Sequence, residues 1–204
     1  MEIVSNSFPL EQLKQYNVIL LCGKAGSGKD FTYKCIEDLY YNDLHKSEYS
    51  IVRYAFADKV KEIAKELGWN GNKDTLGRYC LQQIGALGRK LNPNIWIEYV
   101  LHDIVNTLIS SNSFYSCPNY NTPKYIFVIT DCRFQNELAL MKTYFHAISI
   151  EITGRQSDLG ENSQDISEHD LDNVKKDYTI LNKNITKETL KTHLHSILLQ
   201  EGMI

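Results

Sequence analysis

The stretch Gly23-Lys24-Ala25-Gly26-Ser27-Gly28-Lys29-Asp30 decides the fold of this 204-residue chain. It fits the pattern G-x-x-x-x-G-K-[ST] at every position but the last, where Asp30 replaces a hydroxyl residue. Glycines at this spacing let successive backbone N–H groups curl around a phosphate chain, and Lys29 adds a positive charge beside the β- and γ-phosphates. The stretch therefore predicts a phosphate-binding loop, and the alternative is a glycine-rich turn that holds no ligand.

The residues on either side of this loop predict a strand and a helix. Asn17–Cys22 is a short apolar run, as expected of a buried parallel strand. After the loop, Phe31, Cys35 and Leu39 recur at helical spacing. The order strand, loop, helix would place a bound phosphate at a helix N-terminus, where backbone N–H groups and the helix dipole favour an anion.

Composition limits the classes of protein to consider. A chain of this length is expected to form a single domain, residues 1–204, with a sizeable core. The net charge of −3 argues against bulk binding of nucleic acid. No apolar run approaches the roughly 20 residues that span a bilayer, so no membrane partner is expected. The five cysteines are odd in number and form no C-x-x-C pair, which predicts a reduced, cytoplasmic chain without a zinc site.

Strand and helix patterns alternate along the rest of the chain. Further strands are expected at 51–57, 125–130, 147–152 and 178–182, with helices starting at 58, near 75, after 93, near 135 and at 186. This alternation predicts an α/β fold, a five-stranded parallel sheet covered by helices on both faces in three layers. Residues 58–110 form a helical insertion, and the polar segment 154–176 suits a mobile lid better than packed core. A ligand would lie beyond the C-terminal ends of the strands.

Acidic and basic residues follow the predicted third strand. Asp131 comes directly after it, where a carboxylate can hold Mg²⁺ against the β- and γ-phosphates; a helix N-cap or a turn is the structural alternative. Arg133 could reach a phosphate, or form an ion pair with Glu137. The carboxylate of Asp30 is also a hard oxygen ligand. We therefore predict Asp30 and Asp131 as the magnesium site, and Lys29, Asp131 and Arg133 as the catalytic set.

The helix predicted from about residue 75 carries an unusual polar face. Arg78, Gln82, Gly85 and Arg89 are spaced i, i+4, i+7 and i+11, so they share one side of the helix. Arginine binds phosphate in a bidentate manner, and glutamine can form hydrogen bonds with a base edge. Glycine costs helix stability, up to about 1 kcal/mol against alanine, which suggests close approach of a ligand or another backbone. An exposed polar surface remains the alternative, chiefly for Arg89.

Two other residues are candidates for ligand contact. Lys61 lies in the first turn of its predicted helix, where a cation opposes the helix dipole and hints at a phosphate partner; a solvated lysine is the default. Trp96 could stack on a base, although large aromatic side chains more often lie in the core.

Several segments together resemble the phage-type deoxynucleoside monophosphate kinases, a branch of the P-loop kinases. The loop ends in Ser-Gly-Lys-Asp, and that branch also carries Asp at this position. Four further segments resemble motifs of that branch, in the same chain order. Residues 56–61 are similar to F-A-D-P-[IL]-K, with Lys59 in place of proline, and residues 78–85 to R-x-x-[LM]-Q-x-[IL]-G. Residues 94–96 are similar to its tryptophan motif, and residues 131–137 to D-x-R-F-x-N-E. The matches run in order over nearly the whole chain.

The resemblance implies transfer of the γ-phosphoryl group of ATP to a deoxynucleoside 5′-monophosphate, assisted by Mg²⁺. The acceptor-binding residues that it implies are Asp58, Lys61, Arg78, Gln82, Trp96 and Arg133. The lid residues would be Arg155, Ser167 and Glu168. The usual lid pattern has a histidine before [ST]-E, whereas Asp165-Ile166 precede Ser167 here, and Arg155 is displaced from the end of the fourth strand.

Other functions stay open on the sequence alone. Animal phosphomevalonate kinases and dephospho-coenzyme A kinases share the general plan, so the acceptor could be another phosphorylated small molecule. A modified base in DNA is a further alternative, which the acidic net charge disfavours. A nucleotide-binding regulatory protein without turnover lies outside the enzyme class. The resemblance leaves a homodimer open, and implies the host cytoplasm if the chain is phage-encoded.

Overall fold

The computed structural model describes residues 9–44, 48–114, 123–154 and 164–204. Five parallel strands alternate with α-helices in this part of the chain. The strands are β1 Asn17–Cys22, β2 Tyr49–Tyr54, β3 Lys124–Cys132, β4 His146–Thr153 and β5 Tyr178–Leu181. The longer helices are α1 Lys29–Asp38, α2 Ala57–Glu66, α3 Thr75–Leu91, α4 Ile95–Phe114, α5 Gln135–Tyr144 and α6 Lys187–Gln200. Shorter helical turns span Leu10–Gln15, Leu39–Asp43 and Ile166–Glu168. The predicted α/β class and five-stranded parallel sheet are confirmed.

The strand that precedes the glycine loop occupies the centre of the sheet. The strand order is β2-β3-β1-β4-β5. Asn17, the first residue of β1, pairs with Ile126 on β3 and with His146 on β4. Because all five strands are parallel, their C-terminal ends lie at one edge of the sheet, and the loop after β1 lies in the middle of that edge.

Both faces of the sheet are covered by helices, which gives three layers. On β1, Val18 and Leu20 pack into one core with α2, α4 and α5, whereas Ile19 and Leu21 pack into a second core with α1 and α6. A central strand that is buried on both faces needs apolar residues at every position, which explains why this segment reads as a continuous apolar run.

The connections after β1 and β3 leave the sheet towards opposite faces. Helix α1 follows β1 and packs in the second core, whereas α5 follows the neighbouring strand β3 and packs in the first. Adjacent parallel strands with diverging connections leave a crevice beyond their C-terminal ends, which is where α/β proteins bind ligands. The fold therefore places the glycine loop on the rim of a crevice.

The start of α2 differs from the prediction. The sequence predicts that a helix starts at residue 58, but α2 begins at Ala57, and its N-cap residue, Phe56, makes no side-chain capping hydrogen bond. The capping carboxylate comes from Asp131 on β3, because β3 continues through that residue to Cys132. Strand β2 also lies earlier than expected, at Tyr49–Tyr54, since the chain turns into α2 where the sequence predicted further strand.

The predicted lid is only partly described. Residues 155–163, which include Arg155, lie outside the described residues, as do residues 115–122. In the described part of the lid, Leu171 is buried in the first core, while most of its neighbours are half-buried or exposed. Within the described ranges, no helix has the length and apolar content that crossing a bilayer requires.

Candidate functional site

The phosphate loop connects Cys22, the end of β1, to Lys29, the start of α1. Two of its glycines have a positive φ and also lie too close to neighbouring atoms to accept a side chain. Gly23 has φ +132°, and a Cβ there would lie 2.4 Å from the carbonyl oxygen of Ile152. Gly28 has φ +107°, and a Cβ there would lie 2.2 Å from the side-chain nitrogen of Asn182. A side chain at either position would be strained and would collide with a neighbouring strand end.

The ammonium group of Lys29 lies against the loop itself. Its Nζ donates hydrogen bonds to the carbonyl oxygens of Gly23 at 2.6 Å and Lys24 at 2.9 Å. Burial of the side chain, followed by repulsion from the Arg133 guanidinium, lowers the pKa of Lys29 to about 8. The lysine that would meet the β- and γ-phosphates is thus held in the loop by backbone carbonyls.

The carboxylate of Asp131 joins the end of β3 to the start of α2. It accepts hydrogen bonds from the backbone N–H of Phe56 at 2.8 Å and of Ala57 at 2.9 Å, one on each oxygen. The alternative that the sequence offered, a helix cap, is therefore the observed contact, but the capped helix is α2 rather than the next helix in the chain. Each oxygen keeps a second lone pair, and the side chain lines the central cavity.

The side chain of Arg133 pairs with Glu168. Its guanidinium contacts the Glu168 carboxylate and donates a 3.4 Å hydrogen bond to the carbonyl of Ser167. The alternative pairing with the Glu137 carboxylate is not observed. Glu137 instead accepts the backbone N–H groups of Arg133 at 2.8 Å and Phe134 at 3.0 Å. Burial raises the pKa of Glu137 to about 8, so this carboxyl group is largely neutral at pH 7.

A cavity of 510 Å³ lies between the phosphate loop, β3, α2 and α3. Seven Lys or Arg side chains line it, against five Asp or Glu side chains, although the whole chain has a net charge of −3. The basic residues are Lys29, Arg53, Lys61, Lys73, Arg78, Arg89 and Arg133. The acidic residues are Asp30, Asp131, Glu137, Asp165 and Glu168. The concentration of cations in a concave site favours an anionic ligand.

The polar face of α3 forms one wall of this cavity. Arg78, Gln82, Gly85 and Arg89 all line it. The Nε of Arg78 donates a 3.0 Å hydrogen bond to the carbonyl of Lys73. This bond restrains the guanidinium group through Nε and leaves its two terminal nitrogens for other contacts. For Arg89 the sequence left two roles open, contact with a ligand or part of an exposed polar surface. In the structure Arg89 lies in the cavity wall.

The guanidinium of Arg89 lies over the ring of Phe134, 4.0 Å from the ring centroid. Burial lowers the pKa of Arg89, which reflects partial removal of its charge from water. This contact with the ring restrains the guanidinium at the cavity wall.

The remaining acceptor candidates take different places. Trp96 is 4 % exposed, and its indole N–H donates a 3.0 Å hydrogen bond to the carbonyl of Gly85. It reaches the cavity only at an edge, because most of the ring packs in the core. Lys61 lines the cavity, with its Nζ 2.6 Å from the carboxylate of Asp58. Asp58 itself stands beside the lining residues, paired with Lys61 and with Arg53 at 3.1 Å.

Two lid residues also reach the site. Ser167 and Glu168 line the cavity, and Glu168 accepts the backbone N–H of Ala25 at 3.0 Å. A neighbouring lid residue, Asp172, forms a 3.5 Å ion pair with Lys24. The described part of the lid is therefore docked on the phosphate loop.

Several residues at the site were not predicted from the sequence, among them Asn182 and Thr130. Asn182 is 2 % exposed and donates a 2.7 Å hydrogen bond to the carbonyl of Ser27. Its position after β5, at the same sheet edge as Asp131, is the signal that could have identified it. The hydroxyl of Thr130 is buried in the cavity lining without a hydrogen-bond partner among the described residues. An unpartnered hydroxyl at this place suits a bound ligand or water.

Two carboxylates at the site, those of Asp30 and Asp131, are the predicted ligands of Mg²⁺. In the described ranges, no group of three or more His, Cys, Asp or Glu side chains could hold a metal ion. Magnesium at a phosphate site is usually held by one or two carboxylates, by substrate phosphates and by water. Asp30 and Asp131 both line the cavity, and Thr130 adds an oxygen at the same wall. Asp30 and Asp131 are therefore the residues that could hold Mg²⁺ together with a phosphate ligand and water.

Comparison with known proteins assigns no family, since no protein-family model matches the chain and no curated protein is detectably similar to it. The chemistry of the site is therefore the basis for inferring a function.

Proposed function

We propose that this chain is a phosphotransferase that moves the γ-phosphoryl group of ATP to a deoxynucleoside 5′-monophosphate and forms the diphosphate. The observation that carries the proposal is that one 510 Å³ cavity contains both the phosphate loop and the cationic face of α3. A donor site and an acceptor site that share one cavity are what phosphoryl transfer between two anions requires.

The donor half is formed by the loop and the N-terminus of α1. The loop sequence, its left-handed glycines and its place after the central strand support binding of the β- and γ-phosphates. On this proposal the three layers are a P-loop kinase fold. Lys29 exchanges its contacts with the loop carbonyls for contacts with phosphate oxygens.

The acceptor half is formed by the helical insertion. Arg78 and Arg89 present guanidinium groups to the cavity, and a monophosphate group is a bidentate partner for such a group. Gln82 stands between them on the same helix face, where its amide suits the edge of a base. The 510 Å³ volume lies in the range of small-molecule sites.

The proposed chemistry needs positioning and neutralisation of charge more than a strong base. The phosphate oxygen of the acceptor is ionised near neutral pH and is itself the nucleophile. Lys29 and Arg133 lie where donor and acceptor phosphates would meet, and they offset the repulsion between these groups. Asp30 and Asp131 would hold Mg²⁺, which when bound neutralises charge on the β- and γ-phosphates.

The test is a screen of deoxy- and ribonucleoside monophosphates with ATP and Mg²⁺, read as ADP formation that depends on the acceptor. Lys29→Ala should lower turnover on the order of a hundredfold or more, because it removes a preorganised charge. Lys34→Ala is the matched control, since Lys34 lies on the same helix and is exposed. A folded Lys29→Ala variant with wild-type turnover would contradict the proposal.

The same assay separates the alternatives. Turnover with another phosphorylated small molecule and not with nucleotides would keep the phosphotransferase class and change the acceptor. Tight ATP binding without turnover for any acceptor would favour a nucleotide-binding regulatory protein.

A further inference from the structure

The carboxylate of Glu168 occupies the phosphate loop. One oxygen accepts the backbone N–H of Ala25 at 3.0 Å, and the other contacts the guanidinium of Arg133. Its side chain is only 7 % exposed, and its negative charge favours the protonated form of Lys29. A loop amide, a guanidinium and a nearby ammonium are the donors that a nucleotide phosphate would use in this motif.

The turn that carries Glu168 is docked on one side and weakly packed on the other. Asp170 accepts the backbone N–H of Gln135 at 2.8 Å, and Leu171 is buried in the core. Ile166, at the start of the turn, has 60 % of its surface exposed. The turn Ile166–Glu168 can therefore lift from the loop at little packing cost, while Asp170 and Leu171 keep the rest of the segment anchored.

Two anions cannot share these donors. A phosphate bound to the Ala25 amide would lie next to the Glu168 carboxylate, which is nearly buried. Two negative charges in contact repel each other strongly where little water screens them. Phosphate must therefore displace the carboxylate, and part of the binding free energy is used to break its contacts.

We propose that Glu168 is an internal competitor for the nucleotide phosphates, which contacts the phosphate loop when no nucleotide is bound and leaves it when nucleotide binds. The displacement lifts the turn Ile166–Glu168, so that the entry of nucleotide is coupled to movement of this turn. The inference rests on the proposed function only in naming ATP as the natural displacing anion.

The experiment measures binding of inorganic tripolyphosphate and of ATP by calorimetry, without acceptor, to the wild type, Glu168→Gln and Asp172→Asn. Glutamine keeps an oxygen for the Ala25 amide but loses the charge, so Glu168→Gln should bind both ligands about tenfold more tightly. Asp172→Asn is the matched control, because it removes another acidic lid contact, the 3.5 Å pair with Lys24, and leaves the phosphate position untouched. Its affinities should stay within about twofold of the wild type.

Hydrogen exchange of the wild type supplies a second measurement that needs no variant. Saturating tripolyphosphate should increase deuterium uptake in residues 164–168 and leave the peptide that contains Leu171 protected. Affinities of Glu168→Gln that are equal to or weaker than those of Asp172→Asn would overturn the proposal, as would unchanged or reduced uptake in residues 164–168. Neither measurement involves turnover, so a failed acceptor screen and a failed displacement test are separate results.

Discussion

The side-chain amide of Asn182 donates a 2.7 Å hydrogen bond to the carbonyl oxygen of Ser27, and so ties the end of β5 to the phosphate loop. The backbone N–H of Asn182 also donates to the carbonyl of Thr153 at 2.8 Å, which fixes the residue against β4. The loop is thus held from the sheet edge as well as by its own glycines. Its preformed shape depends on a residue 155 positions further along the chain.

Asn182→Ala should therefore weaken nucleotide binding without destroying the fold. The substitution leaves the buried carbonyl of Ser27 without a donor, which costs about 1–3 kcal/mol, and it frees the loop to move. We expect the KM for ATP to rise roughly tenfold and the melting temperature to fall by several degrees. Thr179→Ala, at an exposed position of β5, should change neither value. Normal ATP kinetics for Asn182→Ala would show that the loop keeps its shape without this bond.

Asp30→Asn should change the magnesium requirement if Asp30 serves the metal. The amide keeps the size of the side chain but is a weaker ligand for a hard cation. The Mg²⁺ concentration for half-maximal rate should therefore rise about tenfold, while the KM for the acceptor stays the same. Asp30→Ser should recover part of the loss, since it restores the hydroxyl of the common motif. A Mg²⁺ titration of Asp30→Asn that overlays that of the wild type would remove Asp30 from the metal site.

The buried carboxyl group of Glu137 should make the protein less stable as pH rises. Its pKa is raised from the ordinary value of 4.5 to about 8 in the folded chain, because burial disfavours the charged form. Between about pH 5 and pH 8 the folded state then binds one more proton than the unfolded state, so its stability is highest at the acidic end of this window. The slope contributed by one proton approaches about 1.4 kcal/mol per pH unit.

Glu137→Gln should remove this slope, because glutamine is always neutral and keeps an oxygen for the N–H groups of Arg133 and Phe134. Urea unfolding at pH 5.5, 6.5 and 7.5 measures the difference between the two proteins. The free energy of unfolding of the variant should exceed that of the wild type by a margin that grows with pH. Parallel pH profiles would mean that Glu137 titrates near its ordinary value in the folded chain.

Local patterns predicted the elements whose residues are close in sequence. The apolar run forms β1 as predicted, and a loop with glycines at positive φ joins it to α1. Binding of phosphate by this loop stays a prediction. The contacts of Asp131 with α2 join residues 74 and 75 positions apart. Glu168 reaches Ala25 across 143 positions. Such pairings depend on the strand order of the sheet, which periodicity does not encode.

Helix α3 shows where periodicity misled the prediction. The spacing of Leu76, Cys80, Ile84, Leu87 and Leu91 predicts one apolar stripe on this helix. Ile84 packs against the core and Cys80 is half-buried, but Leu76, Leu87 and Leu91 are 70 %, 60 % and 82 % exposed. The helix instead turns Gly77 and Gly85 inwards. At Gly77 a Cβ would lie 2.0 Å from the backbone of the preceding loop, so the close approach of the chain decides which face is buried. A hydrophobic pattern alone carries no information on such backbone contacts.

The last prediction separates the acceptor site from the ATP site through the two arginines of α3. Arg78→Ala and Arg89→Ala should each raise the KM for the monophosphate on the order of tenfold to a hundredfold, because a charge-assisted contact to phosphate is lost. Binding of ATP without acceptor should stay within about twofold of the wild type, since neither side chain contacts the phosphate loop. Lys90→Ala removes an exposed cation from the same helix and should leave the acceptor KM unchanged.

Conservative variants of the same residues test the contact geometry. Arg78→Lys should recover only part of the affinity, because lysine keeps the charge and loses the planar fork. Arg89→Lys should recover less, since it also loses the contact of the guanidinium with the Phe134 ring, 4.0 Å from the ring centroid. If Arg78→Ala weakened ATP binding and left the acceptor KM alone, the donor and acceptor halves of the cavity would be exchanged. If only the net charge mattered, Lys90→Ala would raise the KM as much as Arg89→Ala, and the face of α3 would be no more than an electrostatic surface.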